Sequence, residues 1–361
     1  MSLMSYQKVV ESLNAKHRTK HLLLGNGFSI SYDKKIFSYN ALTNFVVKTK
    51  NKLLQKLFRI IDSTNFETIM RELDLFYRIA SEFSEDKSLT RKIVKARSSL
   101  KNNLLDAISE LHPKHVFKIP EKSGRNCASF LKEYLDKDGH VFTTNYDLLL
   151  YWVLMRNQDS LNNIVDGFGR EYIEKVEDEY DPDFEPEFGD LEWGPNRAEQ
   201  HVHYLHGALH IFDEGVSITK EIYEEDYLLT NIKKRIDKKE YPVFVTAGDG
   251  KQKLAHILHN PYLAYCYETL AGITGSLVVF GFGFGKYDGH IIDAINKAAK
   301  GKKGGKSDRL WSVYIGVYSK ADEKNIKTVS KQLKCKREKI TGSALEMCPD
   351  TYTLTLCEQE W

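Results

Sequence analysis

Cysteine is scarce in this sequence and follows neither a disulfide nor a metal-binding pattern. The 361 residues contain five cysteines, an odd number, and no two of them form a C-x-x-C pair. A disulfide framework needs an even set, and a zinc ribbon needs paired cysteines. The sequence therefore favours a protein of the reducing cytoplasm, and we expect no metal cofactor.

Net charge and long apolar runs are also lacking. The 52 lysine and arginine residues nearly balance the 50 aspartate and glutamate residues, which leaves a net charge of +2. Such a balance provides no overall field to attract nucleic acid or an anionic membrane, so we expect direct contact with neither. No stretch approaches the roughly 20 apolar residues of a membrane span. The first residues alternate apolar and charged side chains, unlike a secretory signal, and we expect the chain to stay in the cytoplasm.

Short apolar runs that stop at turns indicate the fold class. Runs at residues 21–24, 140–144, 201–205 and 275–280 each end in a turn that contains glycine or asparagine, and residues 311–318 form a last run. A short apolar run that ends in this way is typical of a buried parallel strand. Helical spacing recurs between the runs, so the pattern predicts an α/β protein with a mostly parallel sheet flanked by helices.

The chain shows no linker at which it could be cut, so we predict a single domain over residues 1–361. After the first strand, residues from about 40 to 125 carry apolar side chains at helical spacing and predict a helical insertion. Residues from about 171 to 192 are acidic, contain prolines and include one lysine. We expect this segment to be a surface loop, and a lid or partner-binding role remains the alternative.

The first turn, Gly25-x-Gly27-x-Ser29, is suited to a phosphate cradle. Glycine lets the backbone approach an anion, and backbone N–H groups at the start of a helix donate to it. The third glycine of the dinucleotide fingerprint is missing. A tight turn without a ligand explains the same residues equally well.

Asn145 and Asp147 lie in the predicted turn between the second strand and a helix. At the carboxyl end of a strand, an amide can orient a water or a ribose hydroxyl, and a carboxylate can accept a hydrogen bond from a carboxamide. Both side chains could instead cap the helix that follows.

His206 follows the third strand and could accept a proton near neutral pH, although a packed histidine is the simpler interpretation. His201, His203 and His210 nearby could suggest a metal. Alternation puts residues 201 and 203 on one face with no cysteine or clear carboxylate partner, so we do not expect a metal site.

The fourth turn contains Gly281, Gly283 and Gly285 and is followed by Asp288. Its glycines could admit a nucleotide, and Asp288 could either hold a ribose or cap the next helix. Four such turns, each at the carboxyl end of a strand, predict one shared pocket.

These motifs resemble the sirtuin-like proteins of bacterial anti-phage defence, the group that includes Thoeris-type NAD hydrolases. The similarity lies in GNGFS at 25–29, TTNYD at 143–147, LHG at 205–207 and VVFGFGFGKYDGHI at 278–291. It implies a Rossmann-like sheet with a helical insertion, NAD⁺ bound across the strand ends, and cleavage of the bond between nicotinamide and ribose.

The resemblance also implies roles for individual residues. Asn145 would orient the nicotinamide ribose and the attacking water, and His206 would act on the ribose hydroxyls. Asp147 would contact the carboxamide. The remaining residues expected to contact NAD⁺ are Gly25, Asn26, Gly27 and Ser29 at the pyrophosphate, Thr144 in the second motif, and Gly281, Gly283 and Asp288 at the adenosine half.

One departure from the sirtuin pattern bears on the reaction. Deacylase sirtuins carry a four-cysteine zinc module after the LHG histidine, whereas this chain has no cysteine from 207 to 265. We therefore expect water as the acceptor, and so an NAD⁺ glycohydrolase that depletes cellular NAD⁺ as an anti-phage, abortive-infection effector. Alternatives are a protein ADP-ribosyltransferase, a deacylase, or a non-catalytic subunit that binds NAD⁺ or ADP-ribose.

A toxic hydrolase without a sensor of its own requires outside control. The partners expected on this basis are NAD⁺ itself, further copies of the chain in a homo-oligomer, and a separately encoded sensor or oligomeric ATPase.

Overall fold

Helices and short strands alternate along the chain in the computed structural model, which describes residues 5–37, 51–62, 66–173, 187–223, 226–245, 249–301 and 309–334. The helices are α1 (Tyr6–Ala15), α2 (Asn26–Tyr32), α3 (Lys34–Phe37), α4 (Lys52–Ile61), α5 (Phe66–Phe83), α6 (Lys87–Leu111), α7 (Glu121–Leu135), α8 (Leu149–Arg156), α9 (Leu228–Asp237), α10 (Gly250–His259), α11 (Pro261–Gly272), α12 (Gly289–Lys300) and α13 (Lys320–Val329). The strands are β1 (Lys20–Leu24), β2 (Val141–Thr143), β3 (Phe168–Gly169), β4 (Tyr172–Ile173), β5 (Glu187–Phe188), β6 (Glu192–Trp193), β7 (Val202–Tyr204), β8 (Gly207–Asp213), β9 (Ile218–Lys220), β10 (Pro242–Phe244), β11 (Gly275–Phe280) and β12 (Leu310–Ile315).

Five parallel strands form the main sheet, in the spatial order β7-β2-β1-β11-β12. Numbered along the chain, these strands lie in the order 3-2-1-4-5, which is the order of Rossmann folds. The strand order reverses between β1 and β11, and ligands of such sheets bind in the crevice outside the strand ends at this point. The predicted α/β class with a Rossmann-like parallel sheet is confirmed.

The central strands are apolar because helices cover the sheet. Every residue of β1 and of β11 is buried, and α7 packs on β1 and β2 while α12 packs on β12. A parallel strand covered on both faces needs a continuous apolar run rather than an alternating one. Lys20 is the charged exception, and its Nζ lies 2.8 Å from a carboxylate oxygen of Glu133.

A second sheet, which the sequence pattern did not predict, is antiparallel and has the order β10-β8-β9-β6-β3. The chain passes from β7 of the parallel sheet into β8 of this sheet at His206 and Gly207. Gly207 has φ +81°, and a side chain there would lie 1.9 Å from the Val243 carbonyl oxygen. Only glycine therefore fits the junction between the two sheets.

The region predicted as a helical insertion contains α4, α5 and α6, which share a small core separate from that of the sheet. Leu54, Ile69, Leu73 and Leu100 lie at its centre. Residues 38–50 and 63–65 of this region lie outside the described residues. The insertion contacts the fourth turn, because the Arg71 guanidinium lies 4.1 Å from the centre of the Tyr287 ring.

The described ends of the acidic segment at 171–192 are short strands. β4 and β5 pair with each other, and β6 joins the antiparallel sheet, whereas residues 174–186 lie outside the described residues. Among the described helices, none is both long and apolar enough to cross a membrane.

Candidate functional site

The four turns that follow β1, β2, β7 and β11 lie along one side of the parallel sheet, here called the carboxyl edge (residues 25–29, 144–147, 205–207 and 281–288). Thr143 of β2 and Tyr204 of β7 are paired in register. Asn145 and His206 each come two residues after this pair. The fold therefore brings the two predicted catalytic residues, which are far apart in sequence, to equivalent positions on neighbouring strands.

The first and fourth turns pack directly against each other. The Gly27 N–H donates to the Gly281 carbonyl over 2.8 Å. A Cβ on Gly25 would lie 2.5 Å from Phe282 Cα, and a Cβ on Gly27 would lie 2.5 Å from Gly281 Cα. This contact alone requires glycine at these positions, as expected for a tight turn. The role of Gly25, Gly27 and Gly281 in binding NAD⁺ stays a prediction.

Ser29, Asn145 and Asp147 form a buried hydrogen-bond network. The Ser29 hydroxyl donates to Asp147 Oδ2 over 2.6 Å and accepts from Asn145 Nδ2 over 2.9 Å. Because the single hydroxyl hydrogen points to Asp147, the amide must present its NH₂ group to Ser29. No hydrogen bond within the described part of the chain engages Asn145 Oδ1. This oxygen is available to accept a hydrogen bond from a ligand.

Asp147 serves both this network and the helix that follows it. Its Oδ1 accepts from the Leu149 N–H at the start of α8 over 2.9 Å. The N-cap position itself is held by Leu148, so Asp147 contacts the first turn of the helix without being its N-cap, and Asn145 makes no hydrogen bond to that turn among the described residues. Burial raises the pKa of the Asp147 carboxyl, while the hydrogen bonds from Ser29 and Leu149 oppose that rise. The carboxyl group is thus held in place by both neighbours.

His206 is fixed between two aromatic rings. Its Nε2 lies 2.8 Å from Nε2 of His290 on α12. On the side of the second turn, the Tyr146 ring stacks against it with 6.3 Å between centroids. The Tyr146 hydroxyl donates to the Val245 carbonyl over 2.7 Å, which anchors that ring in turn. The imidazole therefore has one defined orientation.

Burial lowers the pKa of His206 well below its usual value, and the neighbouring His290 and Lys253 lower it further. The pKa of His290 falls to about 3, mainly through burial and then through Lys253. Both rings are neutral at physiological pH. A neutral imidazole keeps one bare nitrogen that can accept a proton.

Asp288 lies at the N-cap position of α12, but its side chain neither caps the helix nor is free to bind a ribose with both oxygens. Its Oδ2 accepts from the Gly285 N–H over 2.8 Å, and its Oδ1 lies 3.4 Å from Lys253 Nζ. The prediction that Asp288 caps the helix is right for its position and its backbone carbonyl, which accepts from the Ile291 N–H over 3.0 Å, but the side chain turns back to close its own turn. Gly283, in the same turn, has open space around it, unlike Gly25 and Gly27: a Cβ there would meet nothing within 4 Å.

Two further predicted residues are held by the protein backbone. The Asn26 amide donates to the Phe37 carbonyl over 3.3 Å. Thr144 bonds to the end of β1 through its backbone, whose N–H donates to the Leu24 carbonyl over 3.0 Å. The structure thus joins Ser29, Asn145 and Asp147 in one cluster and places His206 in a second cluster on the same edge.

His290 and Lys253 belong to the site but were not predicted from the sequence. Lys253 is almost fully buried, and the charge it carries lies beside both histidines. A second histidine two residues after Asp288, at the predicted start of a helix, was the available signal for His290. Nothing in the sequence around Lys253 indicated that this lysine would be buried.

The other histidines of the third strand lie away from this edge. His201 and His203 belong to a row with His21 and His140 at the amino ends of the strands, in which His140 Nδ1 lies 3.0 Å from His203 Nε2. Within the described residues, no group of three or more histidine, cysteine, aspartate or glutamate side chains could hold a metal ion.

Comparison with known proteins identifies a family that matches most of the chain. A family model described as a domain of unknown function, DUF4917, matches residues 22–339. The match includes all four turns of the carboxyl edge. No curated protein matches the chain.

Proposed function

The chain belongs to the DUF4917 family, a domain of unknown function, and from the geometry of its carboxyl edge we propose that it is an NAD⁺ glycohydrolase. In the proposed reaction, water attacks C1′ of the nicotinamide ribose, and the C1′–N bond breaks. The bonding electrons leave with nicotinamide, which becomes neutral, and the water loses one proton. The products are nicotinamide, ADP-ribose and that proton.

One observation carries the proposal. Asn145 and His206 follow two strands that are paired in register, and His206 reaches His290 on α12, the helix that follows the fourth turn at the crevice. Dinucleotides bind Rossmann-like sheets across this crevice. An amide and a neutral imidazole at this point are the groups that would orient a water molecule and accept its proton.

The contacts of each residue support its proposed role. Ser29 holds the NH₂ group of Asn145, which leaves Oδ1 to accept a hydrogen bond from the water or from a ribose hydroxyl. His206 is neutral at physiological pH because burial lowers its pKa, so it keeps a bare nitrogen that can accept a hydrogen bond from the attacking water. Both side chains are more than nine-tenths buried, and fixed polar groups in a site shielded from water act strongly on developing charge.

The proposed biological role is depletion of NAD⁺ during anti-phage defence. Such an activity would be silent until it is triggered. We therefore propose control through self-assembly or a separately encoded partner, such as an oligomeric ATPase. The purified chain should be assayed both alone and with the products of neighbouring genes.

Nicotinamide release, followed by chromatography, tests the proposal. We expect the wild-type chain to release nicotinamide from NAD⁺, and Asn145→Ala and His206→Ala to lower the rate by about 10² to 10⁴-fold, as for the loss of a positioned acid–base or polar group. Asn102→Ala and His259→Ala, at exposed positions outside the carboxyl edge, are the matched controls and should keep the wild-type rate.

Other results would identify the alternatives. Modified protein detected by mass spectrometry would indicate ADP-ribosyl transfer, and loss of acyl groups from a target protein would indicate deacylation. A rise in melting temperature with NAD⁺ or ADP-ribose, without turnover in any preparation, would indicate a binding subunit. Wild-type rates in both site variants would refute the proposal.

A further inference from the structure

Tyr146, which follows Asn145 in the second turn, makes two hydrogen bonds to segments of the antiparallel sheet. Its hydroxyl donates to the Val245 carbonyl over 2.7 Å, and its carbonyl accepts from the Leu209 N–H over 2.9 Å. Leu209 belongs to β8, and Val245 follows the last residue of β10. The turn that carries Asn145 is therefore bonded to both chain segments that adjoin the junction of the two sheets.

Val245 extends this connection to His206. The Val245 N–H donates to the His206 carbonyl over 3.0 Å, and Val245 itself is completely buried. One residue thus accepts from the Tyr146 hydroxyl and donates to the backbone of His206. Two consecutive hydrogen bonds link the turn of Asn145 to the backbone that carries the imidazole.

The ring of Tyr146 fills the space between His206 and β10. Its centroid lies 6.3 Å from that of His206, and 5.1 Å from that of Phe244 with an angle of 82° between the planes. Phe244 pairs with Gly207, the residue after His206. Packing places the ring here, and the directional bond from its hydroxyl to Val245 fixes how the ring and the Val245 backbone lie relative to each other.

We propose that Tyr146 is a positioning residue whose hydroxyl, acting through Val245, fixes His206 relative to Asn145. This inference rests on the proposed function for its effect on catalysis, whereas the hydrogen-bonded path is independent of that function. Asn145 and His206 lie in separate clusters, so their spacing depends on the backbone between the two turns. A misplacement of about 1 Å in an active site can lower the rate about 10²-fold.

Tyr146→Phe removes the hydroxyl and keeps the ring. The matched control is Tyr265→Phe on α11, because the Tyr265 hydroxyl also donates to a backbone carbonyl, that of Arg197, over 2.9 Å and outside the carboxyl edge. Each variant loses one hydrogen bond of the same kind. Both are assayed well below their melting temperatures, so that each is fully folded and a fall in kcat reports on the site.

We expect kcat of Tyr146→Phe to fall by about 10-fold, less than for a full displacement because the ring and the bond to Leu209 remain. KM should change by less than about 2-fold, as for the loss of an interaction that acts in the transition state rather than in substrate binding. Tyr265→Phe should keep the wild-type kcat and KM.

Hydrogen exchange of the Val245 amide, followed by NMR, tests the path without turnover. Loss of the Tyr146 hydroxyl should raise this exchange rate by about 10-fold, because one hydrogen bond no longer opposes local opening. Tyr265→Phe should leave the rate unchanged.

Unchanged exchange at Val245 in Tyr146→Phe, or a wild-type kcat in that variant, would overturn the inference. If no preparation releases nicotinamide, the proposed function fails, and the exchange rates still decide whether the hydroxyl holds Val245 in place.

Discussion

Glycine at position 27 shows how a single residue can serve packing and a binding turn together. Its N–H donates to Gly281, and its Cα lies against the backbone of the fourth turn. The sequence motif predicted close approach by a backbone. The structure identifies that backbone as the protein's own, because the two turns lie on adjacent parallel strands.

Replacing Gly27 with alanine should lower the free energy of unfolding by roughly 1–3 kcal/mol, as for overpacking in a closely packed site. The added methyl group would lie 2.5 Å from Gly281 Cα, and neither backbone can move without disturbing a strand end. Gly283→Ala is the matched control, since open space surrounds that position. Its unfolding free energy should change by no more than about 0.5 kcal/mol.

Denaturant unfolding of both variants and the wild type measures this difference. Equal stability of the Gly27 and Gly283 variants would show that the two turns do not pack as described.

The side-chain directions at the site could not be predicted from the sequence. The residue types identified Asn145 and His206 as candidates, and both lie on the predicted edge. The orientation of Asn145 depends on Ser29, 116 positions earlier, and that of His206 depends on His290, 84 positions later. No local pattern encodes such pairs, because the fold alone brings them together.

At the scale of whole elements, the amino ends of β1, β2 and β7 carry a stacked row of histidines. The ring centroids of His21 and His140 are 5.4 Å apart, and those of His140 and His201 are 4.9 Å apart. Burial lowers the pKa of His21 to about 3 and that of His140 to about 4. The folded protein thus holds these rings neutral in a closely packed row, so protonation must oppose folding.

The stability of the protein should therefore fall in mild acid. The unfolded chain, with ordinary histidine pKa values near 6.5, binds protons first as the pH falls, and each such histidine removes up to about 1.4 kcal/mol per pH unit. This contribution is complete above pH 6.5 and is lost progressively as the pH falls from there toward about 4 for His140 and about 3 for His21.

His21→Gln tests the assignment through urea unfolding at pH 7.0 and pH 5.5. We expect the loss of stability between these pH values to be about 1 kcal/mol smaller than in the wild type, because one titrating group is removed. His259→Gln, at an exposed position, controls for the loss of an imidazole. A pH dependence in His21→Gln equal to that of the wild type would contradict the assignment.

For the molecule as a whole, the parallel sheet could be predicted from the sequence, whereas the antiparallel sheet could not. The five parallel strands are short apolar runs that end in recognisable turns, and the run at 275–280 coincides with β11. The antiparallel sheet contains β3 and β6, which are only two residues long. Strands of two residues are too short to show any periodicity, and they form because neighbouring segments pack beside them.

The whole fold also brings the helical insertion to the proposed site. Arg71 of α5 lies over the ring of Tyr287, which precedes His290 by three residues in the chain. The insertion has its own core, and this contact joins it to the fourth turn. A partner that binds the insertion would therefore contact an element adjoining the histidine pair.

The central claim is that Asn145 and His206 act on the same ribose, and a crystal structure of the wild-type chain with ADP-ribose tests it most directly. ADP-ribose is the proposed product, so turnover cannot remove it. We predict that its terminal ribose lies at the carboxyl edge, with hydroxyl groups within hydrogen-bond distance, about 3.5 Å or less, of both Asn145 Oδ1 and His206 Nδ1. A terminal ribose bound elsewhere, or the two side chains facing separate cavities, would contradict the account.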